Sequence, residues 1–218
     1  MTVPMPGTGG LDAALAAVVG GARRFVEQLG TAPCLVLALA GPQTRAAFDL
    51  VWRDDVERDV LVTAVTTVAL AVGADRLAAA VVGDVPDRPD LARPDRRAAI
   101  VGLAVTADGV VARRVVRFSP TAGGWEVGDP ASGNPASGGV GPGDVGSSGV
   151  GSGGVQPAGL GPADVRLGGD LGQLFVPTAA AFRTDGAYVP LPAEVTAAYV
   201  NLREAGCVVR TDGPLTAS

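Results

Sequence analysis

The sequence predicts an α+β protein. A two-layer domain, with a mostly antiparallel or mixed five-stranded sheet and two packed helices, is followed by a Gly-rich spacer and one more helix. Three observations carry this. Apolar residues recur at helical spacing in two long stretches, Val- and Ala-rich runs of strand length lie between and after them, and Asp108-Gly109 separates two such runs.

Residues 1–10 read as a loose leader. From Leu11 the positions Leu11, Leu15, Val18, Val19, Ala22, Val26 and Leu29 fall on one helical face, and Gly30 offers a stop. Cys34–Ala40 (CLVLALA) is apolar without alternation, the pattern of a strand buried on both faces. Gly41 to Thr44 turns the chain, and Ala47–Trp52 returns as a second strand.

Asp54 followed by Glu57 has the form of a capping box, with Asp in place of Ser or Thr. The helix behind it is expected to bury Val56, Val60, Leu61, Ala64, Val65, Val68 and Val72 and to end at Gly73. Its many β-branched residues cost helix propensity, so packing must hold it. Arg76–Val82 is a third strand. A proline-punctuated loop, Gly83 to Arg97, leads to strands Ala98–Thr106 and Val110–Phe118, and Trp125–Val127 supplies a short last one. Beyond the spacer, Leu174–Val176 and Ala187–Leu191 read as small strands. Pro192 opens a helix with Val195, Ala198, Tyr199 and Leu202 on one face, stopped by Gly206, and Cys207–Arg210 adds an edge strand.

The spacer announces itself by period. Val140, Val145, Val150, Val155, Leu160 and Val165 recur every five residues among Gly, Pro, Ser and Asp. Five matches neither the 3.6 of a helix nor the 2 of a strand, so no continuous apolar face can form. The chain therefore divides into a flexible leader (1–10), an α+β domain (11–128), a disordered linker (129–171) and a small C-terminal helical segment (172–218). No residue motif assigns it to a family.

Composition limits the chemistry. Of 218 residues, 47% are hydrophobic, but only nine are Phe, Trp or Tyr, so the core is built of Ala and Val. There is no His and no Lys; all 17 basic residues are Arg. Without imidazole, Ser-His-Asp and Cys-His hydrolysis in their usual forms are excluded, and two Cys without His cannot make an ordinary zinc site. Without Lys, a P-loop and Schiff-base chemistry fall as well, and no cofactor is called for.

The net charge of −5 lies mainly in the C-terminal part: residues 1–128 carry 13 Arg against 14 Asp and Glu, residues 129–218 carry 4 against 8. A near-neutral body with an acidic tail argues against nucleic-acid binding. Cys34 and Cys207 read as free buried thiols in a reducing compartment. The longest apolar uncharged run, Val60–Ala74, is too short to span a bilayer. A cytoplasmic protein follows from these readings.

Two candidate sites remain. The loop GDVPDRPDLARPDRR sets Asp84, Asp87, Asp90 and Asp95 beside Arg96 and Arg97, a set of oxygen ligands and forked donors suited to Mg²⁺ or Mn²⁺ and a phosphate. Alternation of Asp with Arg equally suits an ion-paired surface loop. The second candidate is a partner-binding set: Arg113 and Arg117 on one face of the last long strand, and Tyr199 and Leu202 on the C-terminal helix. The expected function is a non-enzymatic binding or assembly module, with a protein partner or self-association. The alternative is a carboxylate-metal enzyme acting on a small phosphorylated substrate through the Asp loop.

Overall fold

The computed structural model describes residues 10–86, 96–128, 131–133, 175–183 and 188–212. The first helix, α1 (Leu11–Leu29), is followed by β1 (Cys34–Ala40), β2 (Gln43–Leu50) and α2 (Asp55–Ala71). Then come β3 (Arg76–Pro86), β4 (Arg96–Thr106), β5 (Gly109–Thr121), β6 (Gly124–Val127) and β7 (Ala131–Gly133). The C-terminal part adds α3 (Val176–Phe182), α4 (Pro192–Glu204) and β8 (Val208–Thr211).

The α+β class holds, and the sheet is wider than expected. Eight antiparallel strands run in the order β6-β5-β4-β3-β1-β2-β8, with β7 paired to β5 farther along the same edge as β6. The expected five are its centre. Of the other three, β6 and β8 answer to the short strands expected at Trp125–Val127 and Cys207–Arg210, and β7 is unexpected and forms by pairing with β5.

The expected two layers are three. Leu35, Leu37, Leu39, Ala78, Ala80, Ile100 and Val116 pack under α1, whereas Val36, Ala38, Phe48, Leu77, Ala79, Val101 and Leu103 pack under α2, α3 and α4. The reason lies in β1, whose residues Cys34 to Leu39 are all buried. A strand apolar on both faces needs a helix on each.

On the α1 side the fit is tight. Leu15, Val18, Val19, Ala22 and Val26 are buried as their spacing predicts, joined by Ala14, while Leu11 is half-buried and Leu29, the last of that stripe, is exposed. A Cβ at Gly102 of β4 would lie 2.4 Å from Val19 Cγ2 and 3.0 Å from Leu15 Cδ1, so α1 rests directly on that backbone. Gly30 ends α1 with φ 73°, and the Trp125 ring of β6 lies against it. Trp125 meets Phe118 edge-on at 5.7 Å and 71°, which closes this face.

On the other side, Asp54 Oδ1 accepts from the Glu57 amide at 2.8 Å, as a cap should. Glu57 reaches back one residue farther than expected, accepting from the Arg53 amide at 2.6 Å. Leu61, Ala64, Val65 and Val68 are buried, but Val56 and Val60, expected in the core, are exposed. They lie on the flank of α2 that faces a hollow shared with α4.

The C-terminal part docks on this side. Phe175, Ala179, Val195, Ala198 and Leu202 are buried there, and β8 pairs with β2 from Ala46↔Thr211 to Asp49↔Val208. Thr66 donates its hydroxyl to the Val62 carbonyl at 2.9 Å, which leaves Thr178 as donor in the 2.7 Å Thr66–Thr178 bond joining α2 to α3. The expected strand Leu174–Val176 is not present in its described part, because Val176 already belongs to α3. Of the expected strand Ala187–Leu191, the described residues 188–191 have no regular structure before α4.

Strand β2 starts at Gln43 and ends at Leu50, four residues earlier than expected and two residues short of Trp52. A register shift at Ala104/Val105 leaves Val111 without a β4 partner in the register, so Val110 turns to the α2 side. The spacer's repeats lie outside the described residues, although Ala131–Gly133, inside the range assigned to the linker, is strand. Among the described residues no helix is long and apolar enough to cross a membrane.

Gly102→Val should destabilise the protein by about 1–3 kcal/mol, because the helix cannot move away without opening the α1 core. Urea denaturation checks this against Gly83→Ala, where an added Cβ meets nothing within 4 Å. Equal midpoints for the two variants would contradict the close approach.

Candidate partner-binding groove and the predicted sites

The Asp-Arg loop is only partly described. Asp87, Asp90 and Asp95 lie outside the described residues. The strands run farther into the loop than expected, so Asp84 stands opposite Ala98, Arg97 opposite Val85 and Arg96 opposite Pro86. Strand alternation puts Asp84 and Arg97 on opposite faces of the sheet. The structure therefore does not gather these two around one point. Among the described residues no three acidic or cysteine side chains come together as a metal site.

The second predicted set is split too. Arg113 stands opposite Leu103 and Arg117 opposite Ala99, on the α2 side of β5. Tyr199 and Leu202 sit on α4, which packs on α2 and beside β8, toward the other end of the sheet. Leu202 is fully buried in the core and Tyr199 is half-buried. Burying a leucine side chain contributes about 1.5–3 kcal/mol, so the apolar stripe of α4 holds the C-terminal part to the body.

What the sequence reading missed is the groove between α2 and α4, with a volume of about 660 Å³. Val56, Val60, Thr63 and Thr67 of α2 line one wall at helical spacing, and Glu194, Ala197 and Asn201 of α4 line the other. Val56 is 75% exposed, Val60 46% and Tyr188 47%. Of the eleven large apolar side chains exposed among the described residues, three, Val56, Val60 and Tyr188, line this groove. Their shared lining sets them apart from apolar side chains scattered singly over a surface.

The threonines add to it. Thr63 Oγ1 donates to the Asp59 carbonyl at 2.9 Å and Thr67 Oγ1 to the Thr63 carbonyl at 3.0 Å. Their hydroxyls are spent on the helix backbone, which makes this wall less polar than its composition suggests. At the head of α4, Glu194 accepts from the Leu191 amide at 2.7 Å and from Tyr188 Oη at 2.8 Å. These bonds hold its carboxyl below the usual range and push the Tyr188 phenol up.

A second hollow, of about 460 Å³, opens at the sheet's end among Phe25, Leu29, Pro33, Cys34, Val51 and Trp52. It offers no reactive group. Burial pushes the Cys34 thiol up to about 12, with Cys207 adding to the effect, so a thiolate nucleophile is not available there. Cys34 pairs with Leu50, and the β2–β8 register carries Cys207 to the far side of the same residue. Two strand spacings, roughly 10 Å, exceed the ~7 Å limit for a disulfide, and both thiols are free.

A partly buried ion pair of this region joins Arg210 to Asp49. Nη2 donates to Oδ1 at 3.1 Å and Oδ2 at 3.3 Å, across the β2–β8 pair. The Nε atoms of Arg45 and Arg210 are buried and find no partner among the described residues. Burial lifts the Asp49 carboxyl above its ordinary range and outweighs the pull of Arg210.

The chain matches no known protein family model, no curated protein and no solved structure.

Cys34 should resist alkylation in the native protein and react only on global unfolding, as pulse labelling with mass spectrometry will read. Labelling of native Cys34 at the rate of an exposed thiol would refute its burial. For Asp49, folding disfavours the ionised form, so its contribution is full below the unfolded pKa and lost as pH rises through the higher folded value. Relative to Asp49→Asn, wild-type stability should fall as pH rises above about 4, the unfolded carboxylate's range, measured by urea denaturation. A difference that is flat or of opposite slope would show that Arg210 dominates.

Proposed function

We propose that this protein is a non-enzymatic binding or assembly module that receives a protein partner, or a second copy of itself, on the α2–α4 face. The observation that carries this reading is the groove itself: exposed valines at Val56 and Val60, two residues of one helical face, opposite a second helix. Ordinary monomeric surfaces keep such side chains apart or covered. The residue inventory is in keeping with this reading, since a chain without imidazole or lysine amine lacks the usual general bases and Schiff-base nucleophiles.

The experiment is light scattering on the purified full chain, joined to cross-linking with mass spectrometry on its partner complex. Cross-links should map to α2 and α4, and Val56→Asp with Val60→Asp should reduce assembly at least tenfold, about 1.4 kcal/mol, while leaving the thermal midpoint nearly unchanged. A strictly monomeric wild type that retains no partner, or assembly unaffected by the double substitution, would overturn the reading.

A further inference from the structure

The groove also says what kind of partner it fits, an inference that rests on the binding reading above. We infer that its occupant is a short amphipathic helix carrying apolar side chains at i and i+4 with Arg or Lys beside them.

Backbone chemistry sets the first part. Apart from Tyr188, the described walls are helices, whose interior amides and carbonyls are already paired, so among the described residues the groove presents no strand edge for an extended segment to pair with. An occupant pressed into it must satisfy its own backbone, and a helix does. The wall from Val56 to Thr67 rises about 16 Å, the length of some three helical turns. Val56 and Val60 stand one turn apart, so complementary apolar residues on the occupant recur at the same interval.

Charge sets the second part. Among the described residues the lining contains two carboxylates, Asp59 and Glu194, and no arginine. Arg58 is divided between Asp55 at 2.8 Å and Asp59 at 3.1 Å, and the Asp59 side chain stays 70% exposed. Among the described residues Glu194 is bonded to neutral groups, Tyr188 and the Leu191 amide, so its negative charge is not neutralised by them. A cationic side chain meets both; an acidic one is repelled.

Fluorescence anisotropy with the full-length protein and three labelled helical peptides tests this. One carries leucines at i, i+4 and i+7 flanked by arginines; the second replaces the arginines with glutamates; the third replaces the leucines with serines. The first should bind at least tenfold more tightly than either of the others. Its affinity should fall with Val60→Asp and with added salt, and by about threefold or more with Asp59→Asn. Equal or tighter binding of the glutamate peptide overturns the charge argument. Binding unaffected by Val60→Asp places the peptide elsewhere and overturns the site. If no peptide binds, the inference fails, and the separate assembly measurement on the Val56→Asp, Val60→Asp variant decides whether the module reading fails with it.

Discussion

The rest of the structure depends on how closely α1 can approach the sheet. Its contact layer in β3 and β4 is made of Ala78, Ala80, Gly102 and Ala104 with Ile100, and Leu35, Leu37 and Leu39 of β1 lie beside them. Small side chains bring the helix onto the backbone at Gly102, where even one methyl group would collide with Val19 and Leu15. A core poor in rings cannot fill space with bulk, so it obtains packing density by bringing elements together. Trp125 then closes the end of the helix at Gly30. With that face sealed by one helix, the opposite face is left to elements from two distant parts of the chain.

Those elements do not seal it. α2 lies over the sheet through Leu61, Ala64, Val65 and Val68, and α4 comes down beside it through Val195, Ala198 and Leu202. Two helices laid side by side on a sheet meet along their lower flanks and diverge above. The apolar residues on the upper flank of α2, Val56 and Val60, stay uncovered for that reason. The groove is thus a consequence of the docking of the C-terminal part, and its walls come from distant stretches of the chain, residues 56–67 and 188–201.

This explains what could be read from the residues and what could not. The stripe of α1, the unbroken apolar run of β1, the Asp54 cap and the Asp108-Gly109 hairpin are local signals, and each corresponds to an element in the fold. The third layer is implied by β1 itself, since a strand apolar on both faces cannot belong to a two-layer domain. The groove leaves no such trace. An apolar position on a helix states that burial is favourable there, not that anything arrives to provide it. Val56 and Val65 look alike in a period count, and only the tertiary packing around α2 separates the exposed one from the buried one. Helix α3 escapes the same count because FVPTAAAF is too short to show a period, and its anchors are Phe175 and the Thr178 bond to Thr66.

The carboxylate loop is described only at its base, where strand register sends Asp84 and Arg97 to opposite faces. Cys34 is a buried thiol within reach of a cavity, and burial keeps it protonated. The partly buried ion pair of Asp49 with Arg210 joins β8 to the sheet and so serves the docking of the C-terminal part. The Cys207 amide donates to the Leu202 carbonyl at 2.9 Å, so β8 and the helix that forms one wall of the groove meet in one tight turn. The surface that α4 creates with α2 is where the support for a binding role lies.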